Sequence, residues 1–403
     1  MAPQKTRGTT RDAGTTRELD VDALLADRGI RILVCCGAGG VGKTTTAAAI
    51  ALRAAESGRR AVVLTIDPAR RLAQSLGLTE LDNIPRPVVG FDPAAGGSLD
   101  AMMLDMKRTF DEVVEQHATP EKAEQILANP FYVAVSSSFA GTQEYMAMEK
   151  LGQLRQQSDA DDRWDLIVVD TPPSRSALDF LDAPKRLGSF LDGRFIRLLM
   201  APAKAGGKAY LKALTAGMSL TVGVMTKLLG GDLLRDAQTF VAALDTMFGG
   251  FRQRADQTYA LLQNPETAFL VVAAPQRDAL REAAFFVERL AVESMPLAGV
   301  VINRVQGVEG GLTRGRAEDG AAALAADPER ATTAALLRLH ADLATIADAH
   351  RGHIARFTTG HPGISLIEVP AAATDIHDLD GLRAVGAALS GRPHSAAAAG
   401  VGA

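Results

Sequence analysis

The sequence predicts an α/β fold, with a doubly wound, mostly parallel sheet and an inserted helical subdomain. Three observations carry that expectation. Short apolar runs alternate with helical stretches between residues 31 and 389. The first run leads directly into Gly37-Ala38-Gly39-Gly40-Val41-Gly42-Lys43-Thr44, which fits G-x-x-x-x-G-K-[ST]. The long stretch between Asp170 and Phe269 has no strand signal and far exceeds a plain crossover.

Taken in order, Arg31–Cys36 is continuously apolar after its first residue, as in a strand buried on both faces. The Ala-rich Thr45–Ala55 reads as the following helix. Arg60–Ile66 is a second buried strand and stops at Asp67-Pro68-Ala69. Residues 79–98 are rich in Pro, Gly and Asp and read as loop, and Ala101–Met106 is a short strand. Lys107–Gln157 reads as helix in at least two pieces, broken near Asn129-Pro130. Trp164–Asp170 is a strand that ends in an acid. Phe269–Ala274 and Gly299–Asn303 are two further strands, separated by the helix Arg277–Ala291. Residues 307–333 read as loop, Thr333–Phe357 as a long helix, Ser365–Val369 as the last strand and Leu379–Leu389 as the last helix. The domain expected from this pattern spans 29–390, with the helical insertion at about 186–265 and disordered tails at 1–28 and 391–403.

The glycine loop predicts nucleotide binding. Glycines let the backbone turn tightly enough for successive N–H groups to face an anion, and the helix start behind them adds a favourable dipole. Gly39, Gly40, Val41, Gly42, Lys43, Thr44 and Thr45 would cradle the phosphates. Lys43 would reach the β- and γ-phosphates, and Thr44 would bind Mg²⁺. Asp170, after four apolar strand residues, stands where a nucleotide hydrolase keeps the acid that supports Mg²⁺. Asp67 also closes a strand, where sheet ligands bind, and a carboxylate there can orient or deprotonate the attacking water. Asn303-Arg304 lacks the following N-K-x-D acid that selects guanine, so adenine is favoured and ATP is the expected nucleotide.

Composition narrows the class further. Of 403 residues, 47% are hydrophobic and 22% charged, as in a soluble globular protein with ample core. A net charge of -4 argues against a dedicated nucleic-acid binder. The two cysteines, Cys35 and Cys36, are adjacent in a strand and point to opposite faces, so they do not pair. Without a disulfide framework or a secretory leader, the expected compartment is the cytoplasm. Ala213–Leu229 is apolar but shorter than the ~20 residues a membrane span needs, and it holds Gly217, Gly223 and Lys227. It reads as helical core, dimer surface or a groove for an apolar client. His350, His353 and His361 flank a helix end and are expected to be solvated rather than to hold a metal.

The loop Gly39–Thr45, together with Thr65-Ile66-Asp67-Pro68-Ala69 and Asp170-Thr171-Pro172-Pro173-Ser174, resembles the arsenical-pump ATPase (ArsA) family. That family includes the ATPase that guides tail-anchored membrane proteins, and it is a relative of MinD and ParA. Leu99–Asp105, Ala140–Glu144, Ala177–Pro184 and Val369-Pro370 with Asp375-Ile376 extend the resemblance across roughly residues 30–390, in family order. The resemblance implies a P-loop NTPase fold and a dimer that closes on ATP. It makes Asp67 the water-activating residue of a first switch, puts Asp170–Ser174 in a second switch and makes Asn303 and Pro370 adenine contacts. The chain departs from the family at Ala38, where a second, signature lysine usually reaches the partner's phosphates. Arg175 and Ser176 replace the usual Gly-His of the second switch. Arg175, Arg70 or Arg71 is a candidate replacement for the missing charge. The family's zinc-binding CxxC and arsenite-binding cysteines have no counterpart.

The expected function is therefore a Mg²⁺-dependent ATPase working as a nucleotide-driven dimer switch. It would act as a homodimer or, more in keeping with Ala38, a heterodimer with a lysine-bearing relative, on a client that includes membrane proteins as one possibility. The alternatives are an ATP-binding regulatory subunit with little hydrolysis of its own, and an accessory ATPase of a membrane anion pump.

Overall fold

The computed structural model describes residues 17–66, 71–78, 80–91, 96–130, 132–133, 142–172, 253–308 and 310–391. Its strands are β1 (Ile32–Gly37), β2 (Arg60–Thr65), β3 (Arg86–Pro87), β4 (Ser98–Met103), β5 (Leu166–Asp170), β6 (Thr267–Ala273), β7 (Leu297–Val305) and β8 (Leu366–Pro370). They form one sheet in the order β3-β4-β2-β5-β1-β6-β7-β8. Every pairing is parallel except that of β3 with β4. β1 lies between β5 and β6, with the earlier strands to one side and the later ones to the other. Its carboxyl end is thus the switch point where open α/β sheets bind ligands.

The helices are α1 (Val21–Ala26), α2 (Lys43–Glu56), α3 (Arg71–Ser75), α4 (Met106–His117), α5 (Pro120–Leu127), α6 (Thr142–Asp161), α7 (Arg277–Val292), α8 (Arg314–Leu324), α9 (Ala331–Gly360) and α10 (Leu379–Ala388). Residues 253–262 are also helical. Because successive strand side chains point to opposite faces, β1 supplies both cores. Ile32, Val34 and Cys36 enter one cluster with Val113 of α4, Ile126 of α5, Leu151 of α6, Phe286 of α7 and Ile354 of α9. Leu33 and Cys35 enter the other, with Val21 of α1, Ile50 of α2, Leu72 of α3 and Leu382 of α10. The sheet is therefore covered on both faces. Cys35 and Cys36 are buried free thiols on opposite sides of it, as their adjacency predicts.

Two stretches are more ordered than the sequence suggests. Within the segment assigned to the amino-terminal tail, Arg17–Leu19 bonds to the edge of β8 through Leu366 N–H to Arg17 O and Leu19 N–H to Leu366 O. Asp20 then caps α1, whose Val21 and Leu25 are buried. Arg59 anchors this helix from below, although its side chain is only 1% exposed. Its guanidinium donates to Asp165 Oδ1 and to the backbone oxygens of Leu25, Asp27, Ile30 and Asp165. Fully satisfied in this way, a buried cation becomes a tie between α1, β1 and β5. Residues 307–333, read as loop from their Gly and Arg content, instead contain α8 and a 3₁₀ turn at Pro328–Arg330. Thr313 caps α8, and Ala317 and Ala321, four positions apart, are buried where α8 packs on α9.

Most of the expected helical insertion lies outside the described residues, Ala213–Leu229 included. Among the described residues no helix is long and apolar enough to cross a membrane.

Candidate functional site

The glycine loop leaves the buried end of β1 and enters α2 at Lys43, at the switch point of the sheet. Its backbone needs glycine most plainly at Gly37 and Gly42. A Cβ on Gly37 would sit 2.0 Å from Val272 O of the neighbouring β6. Gly42 stands at φ +96, in the left-handed region, and a Cβ there would meet Asn303 Nδ2 at 2.2 Å. Gly42 is also the N-cap of α2 and offers no side-chain cap, so no capping side chain takes the first amides of the helix. Gly39 and Gly40 face solvent, while Val41 is buried beneath the loop.

Lys43 is 6% exposed and donates from Nζ to Ala38 O at 2.8 Å, so its ammonium is folded inside the loop. Its charge reaches the sheet below and works against the burial that raises both cysteine thiols. Burial still dominates and pushes Cys36 up to about 12. For Cys35 burial is again the first cause, reinforced by the negative charge of Asp170.

Thr44, in the first turn of α2, donates from Oγ1 to Asp170 Oδ2 at 2.7 Å. The same carboxylate oxygen accepts the Thr65 hydroxyl at 2.9 Å. Asp170 is fully buried at the end of β5, opposite Cys35 in register on one side and Thr65 on the other. The structure thus brings together Lys43, Thr44 and Asp170. It adds Thr65, which sequence reasoning missed; the signal was a hydroxyl closing an otherwise apolar strand one step before the Ile66-Asp67 pair. A hydroxyl and a buried carboxylate at hydrogen-bond distance form a hard-oxygen pair suited to Mg²⁺, and the open amides of the loop suit phosphate.

The remaining candidates divide. Thr45 is half-buried in the first turn of α2. Asn303, near the end of β7, is 8% exposed, and its Nδ2 donates to Val41 O at 2.9 Å. Its contact is thus to the loop itself, a role its sequence position did not reveal. Pro370 closes β8 beside Val305 and is exposed. Asp67, Arg70, Arg175 and Ser176 lie outside the described residues, as does the side chain of Arg71. Ala38 is only 8% exposed and belongs to the apolar cluster under α2.

The three histidines sit apart in role. His350 Nδ1 accepts the Gln306 N–H at 3.1 Å, which places any proton on Nε2. Burial, then the charge of His353, holds His350 below its ordinary pKa. His361 stacks on Phe357. Among the described residues no group of three or more His, Cys, Asp or Glu side chains is placed to hold a metal ion.

Comparison with known proteins identifies the family of the chain. The family model described as anion-transporting ATPase matches residues 30–309. The chain is similar to protein Rv2184c of Mycobacterium tuberculosis, 31% identical over 173 residues, which covers 40% of this chain and 39% of that protein. It is 28% identical over 206 residues to a putative arsenical pump-driving ATPase of Halobacterium salinarum, covering 48% of this chain and 30% of the relative. It is 25% identical over 295 residues to an ATPase ASNA1 homolog of Cryptosporidium parvum, covering 73% of this chain and 70% of the relative. The matched regions span well under half the length of the first two relatives.

Proposed function

The chain belongs to the anion-transporting ATPase family, and from that premise we propose that it is a Mg²⁺-dependent ATP hydrolase whose nucleotide-bound state governs its pairing with a second subunit. The observation that carries the proposal is the hydrogen bond from Thr44 to the buried Asp170 directly behind the glycine loop. In this reading the amides of Gly39–Thr45 receive the phosphates, and Lys43 exchanges the Ala38 carbonyl for their oxygens. Thr44 and Asp170 hold Mg²⁺, which supplies positive charge to the β- and γ-phosphates. Asp67 orients the attacking water, and the adenine lies toward Pro370 and the Asn303 amide hydrogen that no described residue engages. A cytoplasmic setting and a client, a membrane protein among the possibilities, belong to the same proposal.

Ala38 favours a second reading in which this chain binds ATP but depends on a lysine-bearing relative for turnover. The position is buried against apolar side chains and offers no charge to a partner's site. ATP hydrolysis measured together with solution mass separates the two. A lone chain that dimerises and turns over ATP supports the self-sufficient enzyme. Turnover that appears only with a related second subunit supports the dependent one. In either case Lys43→Ala is expected to weaken ATP binding by about two orders of magnitude, since it removes a buried charge from the phosphate cradle. Unchanged binding would refute the site.

A further inference from the structure

Consecutive residues near the end of β7 reach consecutive carbonyls of the glycine loop. Asn303 Nδ2 donates to Val41 O at 2.9 Å, and Arg304 Nη1 donates to Gly40 O at 3.0 Å. One local device aims both side chains. Arg304 N–H donates to Asn303 Oδ1 at 2.9 Å, and Arg304 stands at φ 63, the left-handed region that residues bearing a Cβ rarely adopt. Such a conformation persists where surrounding contacts hold it, and strained residues of this kind gather at ligand sites. Here the strain directs an exposed arginine back across β6 onto a loop that lies more than two hundred and fifty residues earlier in the chain.

We propose that Asn303 and Arg304 form a clasp that positions the phosphate-binding loop, with Arg304 as its second cation. The proposal rests on the ATP-site reading above and deepens it. A carbonyl turned outward onto a clasp fixes the plane of its peptide, so the amide N–H on the opposite side of that peptide points inward. Drawing the oxygens of Gly40 and Val41 toward β7 therefore directs the amides of Val41 and Gly42 to the cradle before any phosphate arrives. Such preorganisation lowers the ordering that binding must otherwise impose. It acts equally on any ligand whose phosphates enter the loop. Arg304 also adds positive charge at the loop mouth in a chain whose position 38 is alanine. Gly42 completes the fit, since a side chain there would displace Asn303 from Val41.

The test uses the full chain and measures affinity for ATP and for ADP, each with Mg²⁺, by titration calorimetry. The Arg304→Gly variant removes the side chain while accepting φ 63 without strain, so it folds, and its melting temperature without nucleotide is expected to equal or exceed that of the parent. Its dissociation constants for ATP and ADP are expected to rise together, by roughly threefold to tenfold, as for loss of an exposed charge-assisted hydrogen bond. Arg304→Lys keeps a charged donor and is expected to recover at least part of the loss. Where turnover is measurable, KM rises while kcat is retained, the pattern of uniform binding. Parent-like affinity in Arg304→Gly overturns the clasp. A fall in kcat with unchanged ATP and ADP affinity also overturns it, because the arginine would then act on the reacting phosphate. Lys43→Ala serves as the parallel arm. If it still binds ATP, the site reading and the clasp fall together; if it does not and Arg304→Gly binds normally, the clasp alone falls.

Discussion

Thr44 Oγ1 lies 2.7 Å from Asp170 Oδ2, joining the first turn of α2 to the end of β5 across 126 positions of sequence. Neither residue is distinctive by itself, since a threonine after a lysine and an acid closing a strand are both common. Their meeting at the switch point of the sheet makes them a candidate metal pair. Thr65 donates to the same oxygen, so Asp170 is oriented from a neighbouring strand and a helix at once.

Asp170→Asn therefore separates the metal from the nucleotide. The amide keeps the shape but loses the negative charge that suits Mg²⁺. ATP binding in excess chelator should stay within about twofold of the parent, while the gain from adding Mg²⁺ should fall by about tenfold or more. Paired titrations with and without Mg²⁺ give both values. An undiminished Mg²⁺ effect would remove Asp170 from the metal site.

Gly42→Ala combines backbone strain with displacement of a side chain. The residue stands at φ +96, and the new methyl would fall 2.2 Å from Asn303 Nδ2. The asparagine can move, but only by leaving Val41 O. A loss of about 1–3 kcal/mol in urea unfolding is expected, accompanied by weaker ATP binding. Unfolding like that of the parent would show that the loop relaxes freely.

Arg59→Ala tests the tie beneath α1. Five hydrogen bonds converge on a guanidinium that is 1% exposed, so truncation takes its donors from the backbone oxygens of Leu25, Ile30 and Asp165 and leaves the Asp165 carboxylate to Arg28 alone at hydrogen-bond distance. The expected destabilisation is about 3 kcal/mol or more. Denaturant titration gives the total, and hydrogen exchange should show α1 opening first.

The two thiols give a pH signature. Burial raises both, Cys36 from 9.0 to about 12, so the folded chain holds their protons more tightly than the unfolded chain does. Above pH 9 the unfolded state ionises and the folded state does not. Stability from this source is thus fully present below pH 9 and is lost as pH rises toward 12. At pH 8 a thiol reagent should leave the folded chain essentially unlabelled and modify both cysteines in denaturant. Rapid labelling of the native chain would contradict their burial.

Much of this architecture follows from local pattern. The continuous apolar runs around Val34, Val63 and Val168 can only be strands covered on both sides, because a solvent-facing strand alternates with polar residues. The loop Gly37–Thr44 carries its own geometry, since glycine alone tolerates both the close approach at Gly37 and the left-handed turn at Gly42. Lys43, Thr44 and Asp170 are legible as candidates for the same reason. Each sits at a strand or helix end whose position is set by its immediate neighbours.

What local pattern could not decide was which ends meet. Thr65 becomes a partner of Asp170 only because β2 lies beside β5, and Arg304 reaches Gly40 only because β7 follows β6 next to β1. Helix α8 was obscured by glycines and arginines, and only its packing on α9 gives Ala317 and Ala321 something to be buried against. Helix α1 is secured by an arginine that immediately precedes β2, which lies two strands from β1 in the sheet. The sequence by itself determined most of the sheet's strands and the phosphate loop, because hydrophobic period and glycine conformation act over a few residues. The tertiary structure decided the partners of Asp170, the role of Asn303 and the aim of Arg304, because strand order brings together residues more than a hundred positions apart.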